Sequence, residues 1–323
     1  MPTAPRRLPV LVRGATWLAD RVIGLDLVPV GGTSLPPWEP GAHIDVVLPS
    51  GLVRQYSLYG SGDDPALYQI AVLLEPNGRG GSKEVHGTAL VGRQLEIRPP
   101  RNHFGLVEAP AYVFVAGGIG ITPILPMISA VAKAGKPWTL VYGGRTRTSM
   151  ALLPELALVP GGAVDVRPQD ERGLPDLAAQ VARAPDGAAF YCCGPEGLLR
   201  AMSEVTGAAG LAKHLHVERF GAPASTPPAA TPGDSAQFEV ELRTSGITVT
   251  VPPDRSVLDV VSEVVPTVMS SCSEGYCGTC ETRVLEGTPD HRDSLLSDSD
   301  KATNETMLIC VSRSRSPKLV LDL

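Results

Sequence analysis

Short apolar runs, separated by Gly and Pro, dominate the first hundred residues of the chain. They cover residues 8–12, 22–29, 43–48, 55–58 and 68–74. Runs of this length and spacing are typical of strands in an antiparallel barrel. The pattern predicts an antiparallel β-barrel domain over residues 1–107.

The pattern changes after residue 110, where strands of β-formers alternate with helical segments. Strands are predicted at 112–116, 138–142, 163–167 and 188–192, with helices at 124–132, 177–182 and 196–202. Alternation of strand and helix is typical of a parallel sheet covered by helices. We therefore predict an α/β nucleotide-binding domain over residues 108–222.

A stretch rich in Pro, Ala, Ser and Thr follows, and we interpret residues 223–235 as a linker. Beyond it, apolar runs at 237–242 and 247–251 predict a hairpin, and Ser256 is the predicted N-cap of the next helix. Residues 236–323 thus form a third predicted domain. With 323 residues, the chain has the length expected of two or three domains.

Charge and hydropathy narrow the function classes. The net charge of −6 provides no basic field for nucleic acid. Residues 109–132 carry no charge, but their glycines and prolines argue against a membrane span. No secretory apolar segment follows Arg6 and Arg7, so we expect a cytoplasmic protein, and a monomer.

The third domain contains the clearest chemical motif. Cys272, Cys277 and Cys280 have the spacing C-x4-C-x2-C, and Cys310 follows at a distance, which is the plant-type 2Fe-2S pattern. Zinc also binds C-x2-C, but zinc sites usually consist of two short-spaced pairs. The spacing favours iron–sulfur and leaves a zinc-stabilised binding module as the alternative. Gly275 and Gly278 would let backbone N–H groups turn towards sulfur, and the hydroxyls of neighbouring Ser and Thr residues could add further hydrogen bonds.

The first domain contains an R-x-Y-S motif, Arg54-Gln55-Tyr56-Ser57, and a glycine-rich turn at residues 78–82. Arginine can hold a phosphate with two hydrogen bonds, tyrosine offers a flat face to an aromatic ring, and serine can bond the edge of that ring. Backbone N–H groups at a glycine turn that opens a helix form an anion site. The anion-site residues are Gly80, Gly81 and Ser82.

In the second domain, a predicted strand runs into the glycine turn of residues 117–123. Strand, glycine turn and helix form a dinucleotide-binding arrangement, although the spacing departs from G-x-G-x-x-G. The residues assigned to the dinucleotide are Gly117, Gly118, Gly120, Thr122 and Pro123. Arg145 and Arg147 could reach the adenosine ribose, and an arginine there also suits the 2′-phosphate of NADPH.

Together with Arg101-Asn102-His103-Phe104, these motifs resemble the phthalate dioxygenase reductase family, a branch of the ferredoxin-reductase superfamily that ends in a plant-type ferredoxin domain. The resemblance implies FMN and NADH as cofactors, with Arg54 and Ser82 at the FMN phosphate and Tyr56 and Ser57 along the isoalloxazine. It places Cys193, Gly194 and Pro195 beside the nicotinamide and Phe220 against the flavin. Ser57, Thr122 and Cys193 would then surround the hydride-transfer site.

The expected function is the reductase component of an oxygenase system, which passes electrons from NAD(P)H through FMN to the 2Fe-2S cluster and on to a terminal oxygenase. That acceptor is a Rieske non-haem iron oxygenase or a haem-thiolate monooxygenase. A non-catalytic electron shuttle is the other alternative. Acidic residues near the cysteines suggest a docking face for a basic partner surface: Glu274, Glu281, Glu286, Asp290 and Asp293. Covalent catalysis by Cys193 is not expected, because no histidine accompanies it in the motif.

Overall fold

The computed structural model describes residues 7–221 and 236–323. These residues form two compact units, one over Arg7–Arg219 and the other from Phe220 to Leu323. The predicted linker over 223–235 lies outside the described residues, and the predicted boundaries at 107 and 222 stay predictions. None of the helices in the described ranges combines the length and the apolar character needed to cross a membrane.

The first unit begins with an antiparallel sheet of six strands in the order β4-β3-β6-β1-β2-β5. The elements are β1 (Leu8–Ala19), β2 (Val22–Pro29), β3 (His43–Val47), β4 (Val53–Ser57), β5 (Tyr68–Leu73), α1 (Gly81–Gly87) and β6 (Gln94–Ile97). A bridge between Leu58, directly after β4, and Ile70 in β5 joins the two ends of the sheet. The antiparallel barrel predicted from the apolar runs is confirmed.

Strand β1 is longer than the predicted run at 8–12. It continues to Ala19 because it pairs with β2 from Val10 to Ala19, with irregularities in register near Gly14 and Leu18. The apolar alternation stops where Thr16 and Trp17 face solvent. Backbone pairing therefore extended a strand that the side-chain pattern alone could not follow.

The same unit contains a five-stranded parallel sheet in the order β11-β10-β7-β8-β9. The elements are β7 (Tyr112–Gly117), α2 (Ile121–Lys133), β8 (Trp138–Gly144), α3 (Leu153–Ala157), β9 (Ala163–Pro168), α4 (Gln169–Arg172), α5 (Leu177–Ala182), β10 (Ala189–Cys193), α6 (Glu196–Ala208) and β11 (Leu215–Glu218). Every residue of β7 is buried, as expected for a central strand covered on both faces. The parallel α/β sheet is confirmed.

Helix α2 begins three residues before the prediction, at Ile121. Pro123 lies in the first turn, where a backbone N–H has no partner within the helix, so the proline does not delay the start. The glycine turn is therefore shorter than the sequence suggested. It consists of a single 3-10 turn over Gly118–Gly120 between β7 and α2.

The second unit contains a five-stranded mixed sheet in the order β13-β12-β18-β14-β16, and β15 pairs with β17. The elements are β12 (Phe238–Leu242), β13 (Ile247–Val251), α7 (Val257–Val264), β14 (Glu281–Glu286), β15 (Pro289–Asp290), α8 (Asp298–Thr303), β16 (Thr306–Leu308), β17 (Arg313–Ser314) and β18 (Lys318–Leu321). Strands β12 and β18 pair in parallel. Ser256 caps α7 in a reciprocal capping box with Asp259, as predicted.

Candidate functional site

The cysteine loop lies between α7 and β14, and all four predicted ligands are at most 7% exposed. The Cys272 thiol lies within hydrogen-bonding reach of Cys277, and the Cys310 thiol within reach of both Cys272 and Cys280. The fold therefore brings the remote Cys310 to the three cysteines of the loop. Its position at the end of β16 accounts for this, since β16 pairs with β14, which starts directly after Cys280.

Hydrogen-bond donors surround these sulfurs. The N–H of Glu274 donates to Sγ of Cys272 at 3.3 Å, and the backbone of Gly275 bonds to Cys310. The Thr279 hydroxyl lies 3.3 Å from Sγ of Cys277. Gly275 has a φ of 73°, which side chains other than glycine seldom adopt. Hydrogen bonds that are donated to the sulfurs of an iron–sulfur cluster change the reduction potential of that cluster.

The residues present fit a 2Fe-2S cluster. Its two irons share four cysteine thiolates, two on each iron. In the described part of the chain, no group of three or more His, Cys, Asp and Glu side chains is placed to hold a metal ion. The neighbouring Cys272 thiol and burial raise the pKa of Cys277 well above its ordinary value. Binding of iron to these thiols must therefore release protons.

The acidic residues around the loop are not one exposed face. Glu274, Glu281 and Glu286 are exposed, and Glu286 pairs with Arg243 at 2.9 Å. The prediction is wrong for Asp293, whose side chain is fully buried. Its carboxylate accepts backbone N–H groups in the turn that follows, so local hydrogen bonds fold it inward.

Arg54 in β4 lies against the glycine turn that precedes α1. Its guanidinium donates to the carbonyl oxygens of Arg79 at 2.6 Å and of Val53 at 2.8 Å. A Cβ at Gly81 would lie 2.5 Å from Cγ of Arg54, so glycine is required where the arginine crosses the turn. No carboxylate within the described ranges pairs with Arg54, and its remaining N–H donors suit a phosphate.

The other residues assigned to the flavin lie close by. Gly80 has a φ of 88°, and the Ser82 hydroxyl accepts the N–H of Glu75 at 3.0 Å. Tyr56 packs against the barrel core, and burial raises the pKa of its hydroxyl. Ser57 is buried at the end of β4, and Gln55, between Arg54 and Tyr56, is half-buried. Arg54 of the R-x-Y-S motif thus contacts the glycine turn, and a Cβ at Gly81 would fill the space between them.

The Arg101-Asn102-His103-Phe104 segment stabilises this sheet. Asp45 in β3 is fully buried and accepts from Arg98 at 3.0 Å and from Arg101 at 2.8 Å. The ring of His103 stacks on His43, with centroids 5.8 Å apart. Burial, assisted by Arg101, lowers the pKa of His43 to about 3, so this imidazole is neutral.

The glycines between β7 and α2 have different roles. A Cβ at Gly120 would lie 2.2 Å from the carbonyl oxygen of Cys193, and one at Gly117 would lie 2.7 Å from Cδ of Pro195. A Cβ at Gly194 would in turn lie 2.9 Å from Cα of Gly117. These glycines let the ends of β7 and β10 approach closely. Gly118, with a φ of 54°, faces open space and leaves its backbone accessible to a diphosphate.

Thr122 and Pro123 are both buried in the first turn of α2. The Thr122 hydroxyl donates to the carbonyl oxygen of Ile119 at 3.0 Å. This hydrogen bond ties the first turn of α2 to the glycine turn.

The ends of the two sheets in the first unit meet at Glu218. Strands β10 and β11 pair in parallel with Cys193 opposite Glu218, and the Cys193 thiol donates to Oε2 of Glu218 at 3.9 Å. Ser57, from the antiparallel sheet, also hydrogen-bonds the Glu218 side chain. Burial raises the pKa of Glu218 to about 8, so the carboxyl is mostly protonated at neutral pH.

The sequence-based assignments did not include Glu218. The available signal was its place at the end of a short strand, two residues before the predicted residue Phe220. The structure adds the parallel register that places this strand end beside Cys193. Phe220 itself is 40% exposed and begins the second unit, so its assignment to the flavin stays a prediction.

Cys193 is not arranged as a nucleophile. Its thiol is fully buried, and burial, with Glu218 beside it, raises its pKa well above the ordinary value. The thiolate is the reactive form of cysteine. The geometry therefore agrees with the expectation that Cys193 does not form covalent intermediates.

The loop after β8 carries Arg145 and Arg147, both exposed. Its backbone is tied to α4, because the N–H of Asp170 donates to the carbonyl oxygen of Arg145 at 3.2 Å. Arg147 pairs with Glu171 at 3.1 Å. Glu171 therefore competes with a bound nucleotide for Arg147 at the carboxyl edge of the sheet.

Comparisons with known proteins agree with this arrangement. Residues 114–204 match the oxidoreductase NAD-binding domain and residues 240–315 match the 2Fe-2S iron-sulfur cluster binding domain. The chain is 43% identical over 328 residues to phenoxybenzoate dioxygenase subunit beta of Ectopseudomonas oleovorans, with 100% of both chains covered.

Solved structures also resemble nearly the whole chain. An intact type IV self-sufficient cytochrome P450 monooxygenase matches with a TM-score of 0.90 and 42% identity, covering 98% of this chain and 41% of that one. The chain thus spans about two-fifths of that P450. Phthalate dioxygenase reductase matches with a TM-score of 0.70 and 32% identity, covering 98% of both chains. With its antiparallel flavin sheet, parallel nucleotide sheet and cysteine loop in the same order, the chain belongs to the phthalate dioxygenase reductase family.

Proposed function

We propose that this chain is the reductase component of an oxygenase system, which carries electrons from NADH through FMN and a 2Fe-2S cluster to a terminal oxygenase. Relatives of nearly equal length support this function. They include a 3-chlorobenzoate-3,4-dioxygenase reductase subunit, 38% identical, and a carnitine monooxygenase reductase subunit, 38% identical. The observation that carries the proposal is the junction at Glu218, where Ser57 and Cys193 meet.

FMN can accept a hydride and release electrons singly, which matches a two-electron donor to a one-electron cluster. The chain contributes position and environment. Arg54 holds the phosphate end, and the open backbone at Gly118 lets the dinucleotide approach β7. Ser57 and Cys193 border the region where nicotinamide and flavin meet. Catalysis then depends mainly on fixed distances within this region.

Glu218 fixes that region. In its protonated form it accepts hydrogen bonds and carries no charge, so it connects Ser57 to Cys193 without placing a negative charge beside the reacting rings. An ionised carboxylate there would oppose the arrival of a hydride by electrostatic repulsion. The neutral state at pH 7 therefore suits hydride transfer.

The cluster end of the path faces a partner protein. Glu274 in the cysteine loop and Glu281 at the start of the following strand are exposed acidic residues close to the ligands Cys272 and Cys280. We assign them to a docking face for a basic surface of the oxygenase, where complementary charge speeds encounter. Relatives named for dioxygenases and the P450 neighbours support two acceptor classes, a Rieske oxygenase and a haem-thiolate monooxygenase.

Cys310→Ser tests the electron path. We expect loss of the cluster absorbance and of NADH-dependent cytochrome c reduction, while NADH still bleaches the flavin. Cys192→Ser is the matched control, because Cys192 is also a free, buried cysteine but lies in β10. Full cytochrome c reduction by Cys310→Ser would contradict the path. Reduction assays with a purified Rieske oxygenase and with a cytochrome P450 would separate the two acceptor classes.

We also propose that the protein works as a monomer in the cytoplasm. The six cysteines are buried and form no disulfide with one another, which suits a reducing compartment. Sedimentation of the holoprotein, together with cell fractionation, would test both statements.

A further inference from the structure

A buried carboxylate lies beside the cysteine loop. The side chain of Asp293 is 0% exposed, and its Oδ2 accepts the N–H groups of Leu295 at 3.2 Å and Leu296 at 2.8 Å. Its Oδ1 has no hydrogen-bond partner within residues 7–221 and 236–323. Burying a carboxylate with one oxygen unpaired costs free energy, so its position calls for a reason.

Asp293 contacts the loop through Gly275. The N–H of Ser294 donates to the carbonyl oxygen of Gly275 at 2.9 Å. A Cβ at Gly275 would lie 3.2 Å from Cα and 3.4 Å from Cβ of Asp293. Gly275 is also the residue whose backbone bonds to the Cys310 thiol. One residue therefore separates the buried carboxylate from a ligand sulfur.

The neighbouring groups balance this charge only in part. Nζ of Lys301 lies 3.8 Å from Oδ2 and donates to the backbone carbonyl of Asp293 at 2.8 Å. Nδ1 of His291 lies 3.7 Å from Oδ1, beyond hydrogen-bonding distance. The lysine is 26% exposed and so is partly hydrated. The negative charge of the Asp293 carboxylate is thus only partly neutralised. Because the side chain is buried, little water screens its electric field.

Charges near an iron–sulfur cluster shift its reduction potential. Reduction adds an electron, so a negative charge lowers the potential and a positive charge raises it. Water screens an exposed charge, whereas a buried one acts at a lower effective dielectric constant. Asp293 and Lys301 should therefore shift the reduction potential in opposite directions. Each should shift it more than an exposed acidic residue beside a cluster ligand does.

We propose that Asp293 and Lys301 set the reduction potential of the cluster, which Asp293 lowers and Lys301 raises, without either binding iron. The proposal rests on the 2Fe-2S cluster of the proposed function. Neither residue touches the cluster. Their charges act on the ligand sulfurs through space, and Asp293 also contacts Gly275, whose backbone bonds to Cys310. A lower potential favours passage of the electron to the acceptor.

The test is a redox titration of the holoprotein followed by electron paramagnetic resonance. Asp293→Asn keeps an oxygen for the N–H groups of Leu295 and Leu296 and should raise the cluster potential. Lys301→Met should lower it. Glu281→Gln is the matched control, because it removes the same charge from an exposed residue next to the ligand Cys280, and it should shift the potential less. The flavin potential should stay unchanged in all three variants.

Iron and sulfide analysis distinguishes the possible failures. A wild-type chain that assembles no cluster would refute the proposed function instead. With clusters present, shifts of the same sign in the Asp293 and Lys301 variants, or an Asp293→Asn shift no larger than that of Glu281→Gln, would overturn the inference. If Asp293→Asn fails to assemble a cluster, Lys301→Met decides alone, and an unchanged or raised potential overturns the inference.

Discussion

Glu218→Gln tests the junction between the two sheets through pH. The pKa of Glu218 rises from 4.5 to about 8 in the folded protein, so between these values the native state retains a proton that the unfolded state has released. Stability from this group is therefore fully present below about pH 4.5 and is lost as pH rises towards 8. Each pH unit in that interval costs ~1.4 kcal/mol.

From pH 6 to pH 9 the loss amounts to about 3 kcal/mol, and for a unit of this size it lowers the Tm by roughly 5–10 °C. Glutamine cannot ionise, so Glu218→Gln should lack this loss. The measurement is the thermal release of FMN, followed by flavin fluorescence, for both proteins at pH 6 and pH 9. Other titrating groups cancel in the difference between them.

The rate of flavin reduction by NADH gives a second readout in a stopped-flow experiment. In the wild type it should fall as pH rises through about 8, by about tenfold if the charge costs ~1.4 kcal/mol in the transition state. It should stay level in Glu218→Gln. Glu204→Gln, an exposed acid on α6, should follow the wild type in both experiments. If Glu218→Gln showed the same fall in Tm and in rate as the wild type, the role of Glu218 would be refuted.

Three further changes test other parts of the site. Arg54→Ala should weaken FMN binding about 10- to 100-fold, since it removes charge-assisted hydrogen bonds; an unchanged Kd in a fluorescence titration of the deflavinated protein would contradict this. Gly120→Ala should destabilise the unit by about 1–3 kcal/mol, because its Cβ would meet a carbonyl oxygen of β10 at 2.2 Å. Gly197→Ala, which meets no atom within 4 Å, should cost nothing in the same denaturation assay. Glu171→Gln should release Arg147 and tighten binding of 2′,5′-ADP severalfold relative to 5′-AMP; equal affinities before and after the change would exclude this.

The sequence by itself determined the chemistry that depends on local spacing. Three cluster ligands lie on one loop, so their separation along the chain limits their separation in space, and the C-x4-C-x2-C pattern was sufficient to predict them. The R-x-Y-S strand and the glycine turn between β7 and α2 are also local patterns, and their assignments to FMN and to the dinucleotide stay predictions. The pattern of apolar residues likewise predicted both sheets of the first unit, because apolar residues recur along the chain wherever one or both faces of a strand are buried.

Only the tertiary structure decided which distant residues share an environment. Glu218 acquires its raised pKa from burial between Ser57 and Cys193, and no local pattern around residue 218 encodes that burial. Asp293 belongs by sequence to a run of surface acids, yet hydrogen bonds to the following turn fold it beneath the cysteine loop. Short segments of the sequence are enough to predict the cysteine ligands. The charge and proton affinity of the groups around the sites depend instead on packing between segments that are far apart in the chain.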